Sequence, residues 1–351
     1  MTPRPAWIAV AAVGAVAIAL LLFLGPSLLP KGPEARATTC SGTTEVYASP
    51  HDLGSAQVAG DRVVWEARTP ASGSPGFDSD VMLYDLATGR ATTLAGGPGL
   101  QAGPVIDETQ AAWRDEDLST HQVRVMVHDF VRGTTQPLEW PTPATNLVPL
   151  LLREGHLVVE ATPAQGAEGA FDFDLANGTA TRLTEAALQG ASMDQGRIVW
   201  VAKSSAGGWD LILHDVRTGE TRIALHSALG IDKPAIQGDG IYYMRTSDGT
   251  PSATWDVYSF NLTTQQASPI ATDEGGSRIQ QAPAVHGPWL VWLEYPPSAQ
   301  ADLLARNLIT GETRHVAQGF LDSRVDAWGN RVVDVRADTG RAGYGVYLAC
   351  L

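Results

Sequence analysis

The sequence repeats one short pattern along most of its length, and this repetition constrains the fold more than any other feature. A run of two or three apolar residues, usually ending in an aromatic residue, returns at intervals of 41 to 49 residues. Around each copy the apolar residues alternate with polar ones, which is typical of β-strands and excludes a helical repeat. The seven copies are Val63-Val64-Trp65, Ala111-Ala112-Trp113, Val158-Val159, Ile198-Val199-Trp200, Ile241-Tyr242-Tyr243, Leu290-Val291-Trp292 and Val332-Val333-Asp334.

A second motif follows the apolar runs, beginning with Asp or Asn and ending with Gly. Its first side chain can accept hydrogen bonds from the amides two residues on, and the glycine can adopt a positive φ, so the motif predicts a hairpin turn. Each unit therefore contains four antiparallel strands, the number in a propeller blade. We predict an all-β seven-bladed β-propeller, with six blades as the alternative if the third copy, which lacks a tryptophan, is an insertion. The motif occurs at Asp85–Gly89, Asp129–Gly133, Asp174–Gly178, Asp215–Gly219 and Asn307–Gly311, with a degenerate copy at Asn261–Thr264.

The two cysteines lie at opposite ends of the repeats. The seventh unit has only three strands, and the segment after Cys40 resembles the missing fourth strand. Alignment of the units places Cys40 and Cys350 at one blade position, held by Ala87 in the first full blade. We predict a disulfide between them that closes the ring, with two unrelated buried thiols as the alternative. A structural disulfide indicates an oxidising compartment.

The amino terminus contains an uncharged run over residues 7–25, about 29 Å long as a helix and therefore close to the thickness of a bilayer core. We predict a membrane anchor or signal segment over residues 1–30, a linker over 31–39 and the propeller over 40–351. An uncleaved transmembrane helix is favoured, which places the protein in the cytoplasmic membrane with the propeller outside. Secretion after cleavage near Ala37 is the alternative.

Composition restricts the partners. The formal net charge is −14 and the chain has three lysines, so no basic cluster is present and nucleic acid is excluded as a partner. The composition, rich in alanine and arginine, is typical of a bacterial protein.

The complete repeat resembles the propeller repeats of the TolB-like family, from about residue 43 onward. The resemblance implies the fold but not the function, because propellers carry many unrelated activities. TolB itself has a separate α/β domain that this chain lacks, and its relatives usually have six blades. Its role in docking a peptidoglycan-associated lipoprotein is therefore not carried over. The residues that carry the resemblance are Asp80–Leu94, Asp210–Leu225, Asp256–Ile270 and Asp302–Val316.

No motif in the sequence defines a catalytic site. Neither the G-x-S-x-G of serine hydrolases nor a phosphate-binding P-loop is present. We therefore expect no propeller-plus-hydrolase peptidase, since no residues remain for its second domain. Asp115, Glu116 and Asp117, with Asp78 and Asp80, can supply oxygen ligands for Ca²⁺, but a solvated acidic loop is the preferred interpretation. We predict no cofactor and no metal.

Strand direction places the variable loops on one face of the propeller, where binding residues usually lie. Trp140 and Tyr295, with the acidic loop of Asp115, Glu116 and Asp117, are the candidate contacts on this face. The leading hypothesis is a non-enzymatic recognition or scaffolding module that binds an envelope protein or peptide. The alternative is a propeller enzyme or carbohydrate-binding protein, lyase-like, with its site at the mouth of the central channel.

Overall fold

The computed structural model describes residues 42–70, 77–140, 144–163, 168–248, 254–272, 278–296, 300–338 and 343–351. The secondary structure of these ranges consists of 27 β-strands. No helix that could cross a membrane is found within them. Residues 7–25, the linker and Cys40 lie outside the described residues.

Twelve strands form three separate four-stranded antiparallel sheets, each in chain order. The first sheet contains β10 (Ala144–Arg153), β11 (His156–Pro163), β12 (Gly169–Asp174) and β13 (Thr179–Thr184). The second contains β14 (Gln189–Asp194), β15 (Arg197–Lys203), β16 (Trp209–Asp215) and β17 (Glu220–Ser227). The third contains β18 (Ile231–Gln237), β19 (Gly240–Thr246), β20 (Trp255–Asn261) and β21 (Gln266–Ala271).

An eight-stranded sheet holds the next group of strands. A single parallel bridge between Ser79 and Leu100 joins its two halves. Its strands are β2 (Leu53–Ala59), β3 (Arg62–Pro70), β4 (Phe77–Asp85), β5 (Arg90–Ala95), β6 (Leu100–Ile106), β7 (Gln110–Asp117), β8 (Gln122–Asp129) and β9 (Thr134–Pro137).

A seven-stranded sheet brings the two ends of the described chain together. The first described strand, β1, pairs antiparallel with the last strand, β27, from Thr43 opposite Ala349 to Ser49 opposite Tyr344. The predicted pairing of the terminal strands is therefore present. The strands are β1 (Thr43–Ser49), β22 (Ile279–His286), β23 (Trp289–Tyr295), β24 (Ala301–Asn307), β25 (Thr313–Trp328), β26 (Arg331–Asp338) and β27 (Gly343–Cys350).

The all-β propeller fold is confirmed, but the number of separate sheets differs from the expected count of seven or six blades. The strands form five sheets. Two connections hold the strands of the two larger sheets together. Residues 313–319 of β25 pair with β24 while residues 320–328 pair with β26, and the bridge from β4 joins the sheet beyond it.

The repeated motifs have the predicted local roles. The apolar runs lie on β3, β7, β11, β15, β19, β23 and β26, and the aromatic side chains that end them are almost fully buried. In the hairpin after β8, the carboxylate of Asp129 accepts the amides of Val131 at 2.8 Å and Arg132 at 2.9 Å, and Gly133 has φ 65°. In the degenerate copy Gln265 adopts the positive φ, at 57°. Local turn chemistry therefore defines each hairpin.

Candidate functional site

A cavity of about 400 Å³ lies where seven strands converge. Its lining residues come from β2, β6, β10, β14, β18, β22 and the second half of β25, which we call the inner strands. We call the cavity the central channel. Aliphatic residues and prolines dominate its lining, with polar side chains at Ser55, Gln57 and Lys233. This size falls within the range of small-ligand sites in proteins.

Every inner strand contains a β-bulge or a similar irregularity in its register. In β6, β18 and β22 two consecutive residues lie opposite one buried aromatic residue of the next strand. The first of the two has a positive φ, as in Lys233 (46°) and Ala282 (53°), and the second is a proline. Pro104, Pro234 and Pro283 lie inside strands, because a bulge tolerates a residue without an amide donor.

The sheet registers define two faces around the channel. In the sheet of β10 to β13, Arg153 pairs with His156, His156 with Asp174, and Asp174 with Thr179, so both tight turns lie at one edge. We call this edge of the sheets the turn face and the opposite edge the loop face.

A series of hydrogen bonds connects neighbouring inner strands at the turn face. The side chain at or just after the end of one inner strand accepts an amide from the turn that follows the next inner strand. The pairs are Asp107 with Gly155 (3.3 Å), Glu154 with Gly196 (2.9 Å), Asp194 with Gly238 (2.7 Å), Gln237 with Gly287 (3.0 Å) and His286 with Gly329 (2.7 Å). The sequence patterns did not predict this series, although four of its five acceptors stand one or two residues before a turn glycine.

Three of the residues at the turn face stack on one another. The imidazole of His286 stacks on the indole of Trp328, with ring centroids 4.1 Å apart and planes 17° apart. The guanidinium carbon of Arg153 lies 4.2 Å from the centroid of the same indole. Burial and the neighbouring Arg153 lower the pKa of His286 to about 4, and burial lowers the pKa of Arg153. At neutral pH the stack therefore contains one neutral imidazole and one cation.

The predicted acidic contacts are near one another in sequence but have separate partners. Asp115 accepts hydrogen bonds from Gln101 at 3.2 Å and Arg124 at 2.9 Å, while Glu116 forms an ion pair with Arg114. Asp117 accepts hydrogen bonds from the hydroxyl of Ser119 at 2.6 Å and from its amide at 2.8 Å, and these bonds lower the pKa of Asp117 to about 2. The three carboxylates thus do not converge on one point.

The other acidic residues weighed as calcium ligands contact backbone amides. Asp78 and Asp80 accept the amides of Gly99 and Gly97, each at 3.4 Å. Within the described ranges no group of three or more His, Cys, Asp or Glu side chains could hold a metal ion. In the described part of the chain, the carboxylates of the acidic loop therefore contact backbone amides and side chains of the protein itself.

The two predicted aromatic contacts pack into separate clusters. Trp140 lies 5.3 Å from Phe171 and 4.9 Å from Phe173 between ring centroids, and it is partly buried. Tyr295 ends β23 and packs against the cluster that contains Leu293. The structure does not bring Trp140 and Tyr295 together, and their role in binding stays a prediction.

Comparisons with known proteins give solved structures only, since no protein-family model and no curated protein matches the sequence. An acylaminoacyl peptidase from Pyrococcus horikoshii is 12% identical with a TM-score of 0.65, over 85% of this chain and 51% of that chain. A puromycin hydrolase is 16% identical with a TM-score of 0.61, over 85% and 53%. A puromycin-hydrolyzing peptidase of Mycobacterium tuberculosis is 14% identical with a TM-score of 0.61, over 84% and 52%.

These matches correct the functional hypothesis. This chain spans about half the length of each matched protein, and at such low identity the likeness establishes the fold alone. The matched proteins are nevertheless peptidases and hydrolases, which contradicts a non-enzymatic scaffold as the leading hypothesis. The expectation that this chain is unrelated to the propeller-containing peptidases was also wrong as far as the fold is concerned. The TolB-like resemblance is supported only as far as the propeller.

Proposed function

We propose that this protein is the propeller part of a peptidase-like enzyme and binds a peptide substrate in the central channel. The observation that carries the proposal is the channel, because residues from seven inner strands line one cavity of about 400 Å³. The likeness to solved peptidases supports it, as does the general tendency of ligand sites to occupy such concave, mostly apolar cavities.

The lining suits a short peptide. Val105, Leu150 and Val325 offer apolar contacts, while Ser55 and Gln57 offer hydrogen-bonding groups. The side-chain oxygen Oε1 of Gln57 already accepts a hydrogen bond from the backbone N–H of Ile106 at 3.2 Å, which holds the side chain in place. In this proposal the propeller supplies binding, and a hydrolase unit in a longer chain or in a partner cleaves the bond.

The first experiment measures peptide binding to the whole chain. Isothermal titration with short peptides and with puromycin is compared for the native protein and for Ala191→Trp, because Ala191 lines the channel. We expect the added indole to raise the Kd at least tenfold. The control is Val131→Trp on an exposed hairpin, which should leave the Kd unchanged. Absence of millimolar or tighter binding, or equal binding by both variants, would overturn the proposal.

We also propose that the five sheets correspond to seven four-stranded blades and that the repeats are TolB-like. Equivalent arginines support the count of seven. Arg197 donates to the carbonyl of Gly238 at 2.6 Å and pairs with Asp239 at 3.2 Å. Arg331 makes the matching contacts with the carbonyl of Gly60 and with Asp61. The same contact therefore links β15 to the next unit and β26 to the first.

For location we propose that the ring is closed by a Cys40–Cys350 disulfide, with residues 7–25 as an anchor and the propeller outside the cytoplasmic membrane. Secretion after cleavage near Ala37 remains the alternative. Two observations support the disulfide: Cys350 is not a free thiol, and its amide donates to the carbonyl of Gly42 at 3.1 Å. The length and composition of the apolar run support the anchor.

A further inference from the structure

The stack of Arg153, Trp328 and His286 connects inner strands that are not neighbours. Strand β10, which ends at Arg153, packs against β6 and β14, whereas β25, which ends at Trp328, packs against β2 and β22. The side chain of Arg153 therefore meets Trp328 by reaching over the space between the inner strands. That space is the turn-face end of the central channel.

The indole at the centre of the stack is partly buried and has contacts from several sides. Two groups about 4 Å from the same ring cannot share one face, so His286 and Arg153 occupy opposite faces of Trp328. Trp328 also packs against clusters that contain Ala59 and Val333. A guanidinium over an indole is a favourable contact, and more so where water is partly excluded.

His286 connects this stack to the turn-face hydrogen bonds. Its Nδ1 accepts the amide of Gly329 at 2.7 Å, so the neutral ring must carry its proton on Nε2. Protonation of Nδ1 would remove the acceptor and place a second cation on Trp328 opposite Arg153. Gln237 occupies the matching position at the end of β18, the preceding inner strand. It accepts the amide of Gly287 at 3.0 Å, and its side chain does not titrate.

We propose that the Arg153–Trp328–His286 stack closes the central channel at the turn face and that protonation of His286 opens it. Closure follows from a contact between strands on different sides of the channel. Opening follows because a single proton removes one hydrogen bond and adds charge repulsion within the stack.

The charges around the stack determine when it opens. Burial lowers the pKa of His286 most, Arg153 lowers it further and Asp194 raises it, which leaves this pKa at about 4. Asp107, Glu154, Asp194 and Asp326 lie near Arg153 and favour its charged form. Each of these four carboxylates accepts backbone amides, as Asp326 does from Val58 at 2.9 Å. Opening is expected near pH 4, where His286 titrates.

Amide hydrogen exchange across pH 3 to 7, corrected for intrinsic rates, tests the proposal in the native chain. The protection of the Gly329 amide should fall at least tenfold on acidification through pH 4. The Gly287 amide is the internal control, since its acceptor Gln237 does not titrate. In parallel, the ¹⁹F resonance of Trp328 in 5-fluorotryptophan protein, assigned with Trp328→Phe, should acquire a larger solvent isotope shift over the same range.

His286→Gln is the matched variant, because glutamine accepts the equivalent amide in the preceding strand. We expect His286→Gln to retain Gly329 protection and a constant Trp328 resonance through pH 4. An equal loss of protection at Gly329 and Gly287, or the same acid response in His286→Gln, would overturn the proposal. None of these readouts depends on peptide binding, so the result is separate from the proposed function.

Discussion

At the residue scale, Asp334 shows how one substitution alters the repeat. It occupies the position held by tryptophan or tyrosine in most other units, and it is fully buried. Its carboxylate forms an ion pair with Arg336, with 2.9 Å between Oδ2 and the guanidinium, and Arg336 lies 4.3 Å from the ring of Tyr347. Burial raises the pKa of Asp334 although Arg336 lowers it. The charged form of the Asp334 carboxylate is therefore stabilised by its partner Arg336.

Removal of one member of this pair should cost more than removal of both. Arg336→Met leaves the buried carboxylate without its cation, and we expect a loss of roughly 3–5 kcal/mol in the free energy of unfolding. Asp334→Leu combined with Arg336→Met should lose less, because an apolar pair replaces the ions. Urea unfolding at pH 7 measures the difference.

The pH dependence gives a second check on this pair. The folded pKa of Asp334 lies above its unfolded value, so the folded state binds this proton more readily. Its contribution to stability is present at low pH and is lost as pH rises through the folded pKa. Arg336→Met should increase that loss, and an unchanged pH profile would contradict the assignment of the ion pair.

At the element scale, the inner strands combine ordinary pairing with bulges. Two residues oppose one aromatic residue in β6, β18 and β22, which leaves room for Trp113, Tyr243 and Trp292. The bulge requires a left-handed backbone that costs most side chains about 1–2 kcal/mol. Ala282 adopts this conformation at φ 53°. The strain is local and should be released by glycine.

Two alanines of β22 allow a matched test. Ala282→Gly removes the left-handed strain while losing a methyl group, so we expect a change in unfolding free energy close to zero. Ala284 lies two residues away and does not have a positive φ. Ala284→Gly should therefore lower the free energy of unfolding by about 1 kcal/mol. Chemical denaturation of the two variants measures the contrast. Equal destabilisation would show that the bulge carries no strain at Ala282.

At the scale of the whole molecule, the first and last described strands meet in one sheet. Six residues of β1 pair with β27, and the hydroxyl of Tyr347 donates to Glu45 at 2.9 Å. Pairing removes two exposed strand edges that would otherwise favour aggregation. The proposed disulfide would make the closure covalent.

The closure can be tested by intact mass and thermal unfolding of exported protein. We expect Cys40 and Cys350 to resist alkylation until a reductant is added. Reduction should lower the Tm. The accompanying loss in the free energy of unfolding has an upper limit of about 5 kcal/mol in the chain-entropy model for so long a loop. The same mass spectrum shows whether residues 1–37 are retained. Free thiols in unreduced exported protein would contradict the disulfide.

Much of the fold could be predicted because its signals are local and repeated. Val63-Val64-Trp65 and its copies lie on strands, as period-two alternation predicts. Asp129 and Gly133 form the predicted hairpin with their own backbone. Such elements depend on a few consecutive residues, so their chemistry is visible without the rest of the chain.

The functional hypothesis could not be obtained in the same way. Asp115, Glu116 and Asp117 are consecutive in the sequence, yet Asp115 and Asp117 have different partners in the structure. The stack at the turn face was not predicted, since Arg153 and Trp328 share no motif and meet only when distant strands converge. The hypothesis of a non-enzymatic scaffold rested on the absence of a catalytic motif. That absence does not distinguish this chain from peptidases of the same fold.

The sequence by itself therefore determined the strands, their hairpins and the repetition that makes a propeller, because each depends on side chains and backbone close together in the chain. Only the tertiary structure decided how the strands join into five sheets, where the bulges line a channel, and which residues close its turn face. Those features depend on contacts between residues far apart in sequence, and each contact forms only when the inner strands converge around the channel.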